Sequence, residues 1–383
     1  MQNKDKNHII SPPPSLRGEG FTYISAWLFA TAALVFLMVV LGGLTRLSQS
    51  GLSIVKWQPL IGAIPPLNAD DWQKLFQLYQ DSPQYRKVNY GMSLAEFKNI
   101  FWLEYIHRLL GRIIGLVFFI PLVFFTFTGK INRKLAVWLF FIFLLGAVQG
   151  LAGWYMVKSG LVDNPAVSHY RLALHLFLAF VIYALLFLAG LNCHPGAGRD
   201  PGHVARHMAN AVTPAVNHKP VLLPLRGLDP GLRRDDVVLS FIITALILFQ
   251  VILGAFVSGT GAGLLYNTFP LMNGQIIPED IFFLKPFWLN FLENRTTIQF
   301  QHRLGAFILF FLIFTFWYKT HQSEINKAAN LLLITAILQI GLGILTLLNQ
   351  VPLLLASLHQ TGALVLFSVS LFINHRLYAI SRA

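Results

Sequence analysis

The sequence predicts an all-α membrane protein, with eight transmembrane helices arranged as two tandem pseudo-symmetric four-helix bundles. Three observations carry that reading. Of 383 residues, 55% are hydrophobic and only 12% charged, about half the charged fraction of an ordinary soluble domain, and the mean hydropathy is +0.60. Apolar runs long enough to cross a bilayer, about 20 residues each, recur along the whole chain. Short motifs in the first half return in the second. A disordered chain and a soluble enzyme are both excluded on these grounds. The single cysteine, Cys193, leaves no internal disulfide and no thiolate metal cluster.

The spans fall near residues 22–44, 104–126, 135–157, 169–191, 238–259, 297–318, 328–349 and 352–374. The first is no cleaved leader, because it is too long and is followed by Gly42-Gly43-Leu44-Thr45-Arg46 rather than a small-residue cleavage site. Orientation follows from basic loop residues. The segments 1–21, 127–134, 192–237, 319–327 and 375–383 share one side of the membrane and hold 16 of the 29 lysines and arginines. The short loop with Lys130, Arg133 and Lys134 is the most informative, whereas basic residues on the other side are mixed with acids such as Asp70, Asp71, Glu279 and Glu293. Both termini are therefore expected in the cytoplasm of a bacterial cell, with the chain in the inner membrane. The net charge of +13 is a topology signal, and no nucleic-acid partner is expected.

The expected organisation is a cytoplasmic tail (1–21), a first four-helix unit (22–191), a disordered cytoplasmic insert (192–237), a second four-helix unit (238–375) and a short tail (376–383). The insert is rich in Pro, Gly and Arg, and its wording resembles a translated palindromic repeat of bacterial genomes. Its His194, His203, His207 and His218 are irregularly spaced and lack partner cysteines, which argues against a metal site. Each unit also has a long outer loop with an apolar stretch, Trp72, Leu75, Phe76 and Tyr79 in the first, and 281–289 in the second, where Pro286 limits any continuous helix. Both stretches fit either an interfacial helix capping the bundle or ordinary loop packing.

The repeat is explicit in the residues. Glu104-Tyr-Ile-His107-Arg108 opens the second span and Gln299-Phe-Gln-His302-Arg303 the sixth; His175 and His359 follow in the fourth and eighth. Odd spans end on Gln149-x3-Gly153, Gln250-x3-Gly254 and Gln339-x3-Gly343, with Met38-x3-Gly42 a looser copy, and such small residues let helix backbones approach closely. An ionisable residue inside a span is costly and needs a reason. One membrane histidine is usually a packing residue. Four at matched depth, paired within each half, are instead expected to supply the two axial ligands of a haem in each bundle. Arg108, Arg112, Arg171 and Arg303 lie beside these histidines and are candidates to pair with haem propionates; snorkelling to headgroups explains their depth but not their proximity to each histidine. Glu104 precedes His107 by one turn on nearly the same helix face, while the second half has Gln299 there. The carboxylate either pairs with Arg108 or serves chemistry, and the asymmetry suggests that the first half reacts and the second transfers electrons.

The stretches GGLTRLSQSGLSIVKWQPLIGAIPP (42–66), EYIHRLLGR (104–112), MVKSGLVDNPAVSHYRLALHL (156–176), NTFPLMNG (267–274), QFQHRLGA (299–306) and LGILTLLNQVPLLLASLHQTGA (342–363) resemble the haem A synthase family, in its proteobacterial and mitochondrial branch. That resemblance implies oxidation of a ring methyl of haem O to a formyl group for cytochrome oxidase. It implies His107 and His175 around the substrate haem, His302 and His359 as axial ligands of a permanent haem b, and Glu104 as the essential carboxylate. It also implies haem O synthase upstream and an electron donor that the sequence does not identify; a homo-oligomer is compatible with it. A Cys pair found in the first outer loop of some members is absent here, so a thiol relay is excluded. A di-haem b cytochrome passing electrons from quinol uses the same bundles but gives Glu104 no role. A repeat-built transporter lacks midplane broken helices here, and a haem farnesyl transferase lacks its acidic diphosphate motifs.

Overall fold

The computed structural model describes residues 14–56, 61–162, 165–193 and 232–380. The expected tail 1–21 falls mostly outside this set, and so does the insert from 194 to 231 with all four of its histidines. Among the described residues, eight helices are long and apolar enough to cross a membrane, which bears out the all-α membrane class. They are α1 (Pro14–Leu47), α4 (Leu94–Phe127), α5 (Arg133–Ser159), α6 (His169–Asn192), α7 (Arg234–Thr260), α9 (Arg295–Thr320), α10 (Asn326–Leu348) and α11 (Leu353–Ile380). Shorter α2 (Ala69–Gln80), α3 (Pro83–Lys87) and α8 (Asn290–Glu293) lie in the loops after α1 and α7.

Several helix starts carry side-chain caps that satisfy otherwise unpaired amides. Asn68 caps α2, Ser82 caps α3, Asn132 caps α5 and Asn294 caps α9, each accepting from backbone N–H groups of the first turn. The same chemistry corrects two expected boundaries. Ser93 and Glu96 form a capping box, so α4 begins ten residues before Glu104 and that residue lies well inside the helix. At α7, the Asp236 carboxylate accepts from the Arg233 N–H at 2.9 Å, so residues 234–237 are helical rather than part of the insert.

Within the first half, α1 packs on α4 and α6, and α5 closes against α4 and α6. Within the second, α7 packs on α9 and α11, and α10 closes against both. The halves meet mainly through α6 on α7 and α1 on α11. One apolar cluster runs through both, including Leu28, Leu139, Phe180, Ile247, Phe316 and Leu364. Lipid is as apolar as these side chains, so specificity between helices comes from close packing and hydrogen bonds. Tyr183 meets Ser368 at 2.6 Å, and Gln360 Nε2 donates to the Val39 carbonyl at 2.7 Å. A Cβ added at Gly43 would collide with that Gln360 amide, so the glycine is what admits the contact.

The first outer stretch is a true helix. Phe76 and Tyr79 of α2 bury against Phe97, Phe101 and Tyr105 on the early turns of α4, so aromatic packing explains why α4 extends beyond the apolar run. In the second outer loop, Pro286 precedes a short 3₁₀ turn, Phe287–Leu289, and α8.

Candidate functional site

Each of the four histidines faces a glycine on the preceding membrane helix. A Cβ at Gly42 would stand 3.3 Å from His107 Nε2, and one at Gly254 3.3 Å from His302 Cε1. At Gly153 and Gly343 it would stand 2.9 Å from Cε1 of His175 and of His359, closer than real Cβ contacts come. At Gly153 and Gly343 a side chain would force the ring to shift, and at Gly42 and Gly254 it would make a tight contact.

The glutamine four residues earlier has a second duty that the sequence reading missed. Gln149, Gln250 and Gln339 each donate Nε2 to the backbone carbonyl of the facing histidine, at 3.0, 2.7 and 2.8 Å. Glycine and glutamine thus form a clamp, one turn apart on one helix face, that sets the height and roll of the histidine-bearing helix. The threefold Gln-x3-Gly spacing was the available signal, read only as close packing. At His107 the glutamine is replaced by Met38, which packs near Gly111 of α4.

In the second half, His302 and His359 have ring centres 6.5 Å apart with planes at 84°. Two imidazoles bound to opposite faces of one metal, with metal–nitrogen bonds of about 2 Å, place their ring centres roughly 6.3 Å apart. The pair fits that spacing. Nδ1 of His175 and of His359 is buried with no hydrogen-bond partner, while all four imidazoles are only partly buried. In the first half, His107 and His175 lie within electrostatic reach of one another. Among the described residues, no group of three or more His, Cys, Asp or Glu side chains is placed to hold a bare ion. Two ligands per site is the number a tetrapyrrole leaves open, so the residues present fit haem.

Glu104 is 2% exposed and fully engaged. One oxygen accepts from Ser53 Oγ at 2.6 Å and from the Ile54 N–H at 2.8 Å; the other pairs with Arg108 at 2.6 Å. Ser53 and Ile54 come from the loop after α1, a long-range contact that spacing could not reveal. The second half repeats this with the polarity reversed. Gln299 Nε2 donates to the Tyr266 carbonyl at 3.0 Å, and Arg303 donates to the carbonyls of Tyr266 and Thr268. Arg108 correspondingly donates to the Ile54 carbonyl at 3.0 Å. A carboxylate takes a backbone N–H in one half; an amide gives to a backbone C=O in the other.

The four arginines proposed to meet propionates are thus placed as follows. Arg108 and Arg303 hold outer loops, and Arg112 lies one turn beyond Arg108. Arg171 donates to the Tyr155 carbonyl at 2.7 Å and stacks 3.6 Å over its ring.

The family model for cytochrome oxidase assembly proteins matches residues 25–371. The haem A synthase of Nitrosospira multiformis is 50% identical over 359 residues, covering 92% of this chain and 93% of its own. That of Nitrosomonas eutropha is 45% identical over 381 residues, covering 98% and 100%. That of Parvibaculum lavamentivorans is 45% identical over 354 residues, covering 92% and 94%. With the histidine clamps and these matches running through both halves, the chain belongs to the haem A synthase family of cytochrome oxidase assembly proteins.

Proposed function

We propose that this chain is a haem A synthase, converting a ring methyl of haem O to a formyl group. The observation that carries the reading is the contrast between two matched histidine pairs, of which one alone has a buried carboxylate one turn away, Glu104 before His107. The chain is organised as two four-helix units, one built on α1, α4, α5 and α6 and the other on α7, α9, α10 and α11, joined by the insert. His107 and His175 hold the substrate haem O. His302 and His359 hold a haem b, which when bound supplies reversible one-electron transfer.

Methyl to formyl is a net four-electron oxidation, written as two hydroxylations that each take an oxygen atom and a two-electron oxidant from outside the chain, followed by loss of water from the gem-diol. Side chains alone do not oxidise an unactivated methyl, so the chain's task is to position the substrate and manage protons and charge. Glu104, one turn before His107 on α4, is the group assigned to that task. Ser53, the Ile54 amide and Arg108 orient its carboxylate, and burial strengthens each of these contacts. The clamps at Gly153, Gly254 and Gly343 fix three ligand helices. His107, packed against Gly42 with Met38 in place of glutamine, lies on the helix that bears Glu104.

The histidine-bearing ends of the helices face the outside of a bacterial inner membrane, with both termini cytoplasmic. Haem O synthase is the upstream partner, and a separate donor supplies electrons. The test is to co-express the chain with a source of haem O, purify it and identify its extracted haems. Haem A or its hydroxylated precursor alongside haem B is expected. Two haem B per chain and no oxidised product would overturn the reading in favour of an electron-transfer cytochrome.

A further inference from the structure

Outside the histidine pairs, the two halves also differ at the ends of α5 and α6 where those helices connect. There Trp154, Tyr155, Lys158, Ser159, Val162 and Arg171 line a hollow of about 500 Å³. A second hollow of about 170 Å³ shares Trp154 and Lys158 and reaches Arg108 and Ile54, the residues that hold Glu104. Lys158 stacks over the Trp154 ring at 5.2 Å and Arg171 over the Tyr155 ring at 3.6 Å. Among the described residues, no carboxylate pairs with either cation. Ser159 Oγ accepts from the Ser168 N–H at 3.1 Å, tying the connection between α5 and α6 over this region.

The repeat supplies an internal control. Aligning Gln149-x3-Gly153 with Gln339-x3-Gly343 sets Ile344, Leu345 and Leu348 against Trp154, Tyr155 and Lys158. Aligning His175 with His359 sets Leu355 against Arg171. Arg108 and Arg303 occur in both halves and hold loops in both. Among the described residues, the stacked pair of cations lies in the half to which the exchangeable haem is assigned above, and Arg171 stands one turn from His175. Cations stacked on aromatic faces keep their charge and are held in place for a planar oxyanion.

We propose that Lys158 and Arg171, seated on Trp154 and Tyr155, dock the propionate carboxylates of the exchangeable haem in the first half. This rests on the function proposed above. A phosphate headgroup offers the same oxyanion chemistry, so the experiment separates the two sources.

The full-length protein, carrying haem b, is reconstituted in phosphatidylcholine nanodiscs and titrated with haem O or its propionate dimethyl ester, read by absorbance. The wild type is expected to bind the free acid about 10-fold more tightly than the diester, at roughly 3- to 5-fold per exposed ion pair. Replacing both cations by their second-half counterparts, Lys158→Leu with Arg171→Leu, is expected to abolish that preference and leave the haem b spectrum unchanged. The conservative Lys158→Arg variant is expected to keep it. Equal binding of acid and diester by the wild type, or an undiminished preference in the double variant, would overturn the proposal. So would loss of the preference only in phosphatidylglycerol discs, which assigns the cations to lipid. A wild type that takes up neither form, with haem b intact, overturns the haem O reading itself and this proposal with it.

Discussion

Replacing Glu104 by Gln removes a charge while keeping the shape, and the second half already shows what such a residue does beside an arginine. The Glu104 carboxylate makes three short contacts, 2.6 Å to Ser53, 2.8 Å to the Ile54 N–H and 2.6 Å to Arg108. Hydrogen bonds to charged groups contribute about 1.5–3 kcal/mol each and neutral ones about 0.5–1.5. Neutralising the acceptor therefore costs about 1 kcal/mol per contact, or about 3 in total. Arg108 keeps its bond to the Ile54 carbonyl, as Arg303 keeps its bond to that of Tyr266, which holds the cost to about 2–3 kcal/mol. Glu104→Ala costs more, about 3–5 kcal/mol, because it removes the carboxylate partner of the partly buried Arg108 altogether. Both variants are expected to fold around an unchanged second-half haem spectrum. Formyl product, measured by chromatography of extracted haems, should fall about 10²- to 10⁴-fold in Glu104→Gln, the usual loss of a proton-handling group. Product within threefold of wild type would refute a chemical role and leave Glu104 as a loop anchor.

The clamps make further predictions. Gly343→Ala places a methyl 2.9 Å from His359 Cε1, whereas Gly341→Ala meets nothing within 4 Å; the first should strip haem b and the second should not, in pyridine haemochrome assays. Gln339→Leu breaks a 2.8 Å bond to the His359 carbonyl, costs about 1 kcal/mol, and should shift the haem b potential or spectrum without eliminating the haem. An unshifted spectrum and potential would show that the glutamine only packs. Gln299→Glu sets a carboxylate against the Tyr266 carbonyl that now accepts from Gln299, and should lower haem b content without creating a second formylating site. Deleting 195–231 should preserve formyl product in the well-folded protein, because the flanking ends of α6 and α7 lie at the opposite ends of their helices from the four histidines; the cut stops before Leu232, which is 4% exposed.

Much of this molecule is determined by its sequence alone, because a bilayer restricts the options. Spans of about 20 apolar residues must be helices, and a histidine inside one needs a partner or ligand, so the eight helices and the four candidate ligands were legible directly. The spacing of Glu104, His107 and Arg108 along one helix likewise required no tertiary information. Contacts across helices were not legible. That Gly153 faces His175, that Gln149 reaches its carbonyl, and that Ser53 and Ile54 from a distant loop grip Glu104 depend on helix rotation and register. Hydropathy is blind to both, since lipid and protein interiors are equally apolar. Hydropathy also misplaces the start of α4, for a related reason. The apolar run ends where the bilayer ends, but the helix continues to its Ser93 cap because Phe97 and Phe101 find Phe76 and Tyr79 in the outer loop. Sequence thus determined which residues must be explained; tertiary structure decided which of them touch, because only the packed backbone sets distances between segments far apart in the chain.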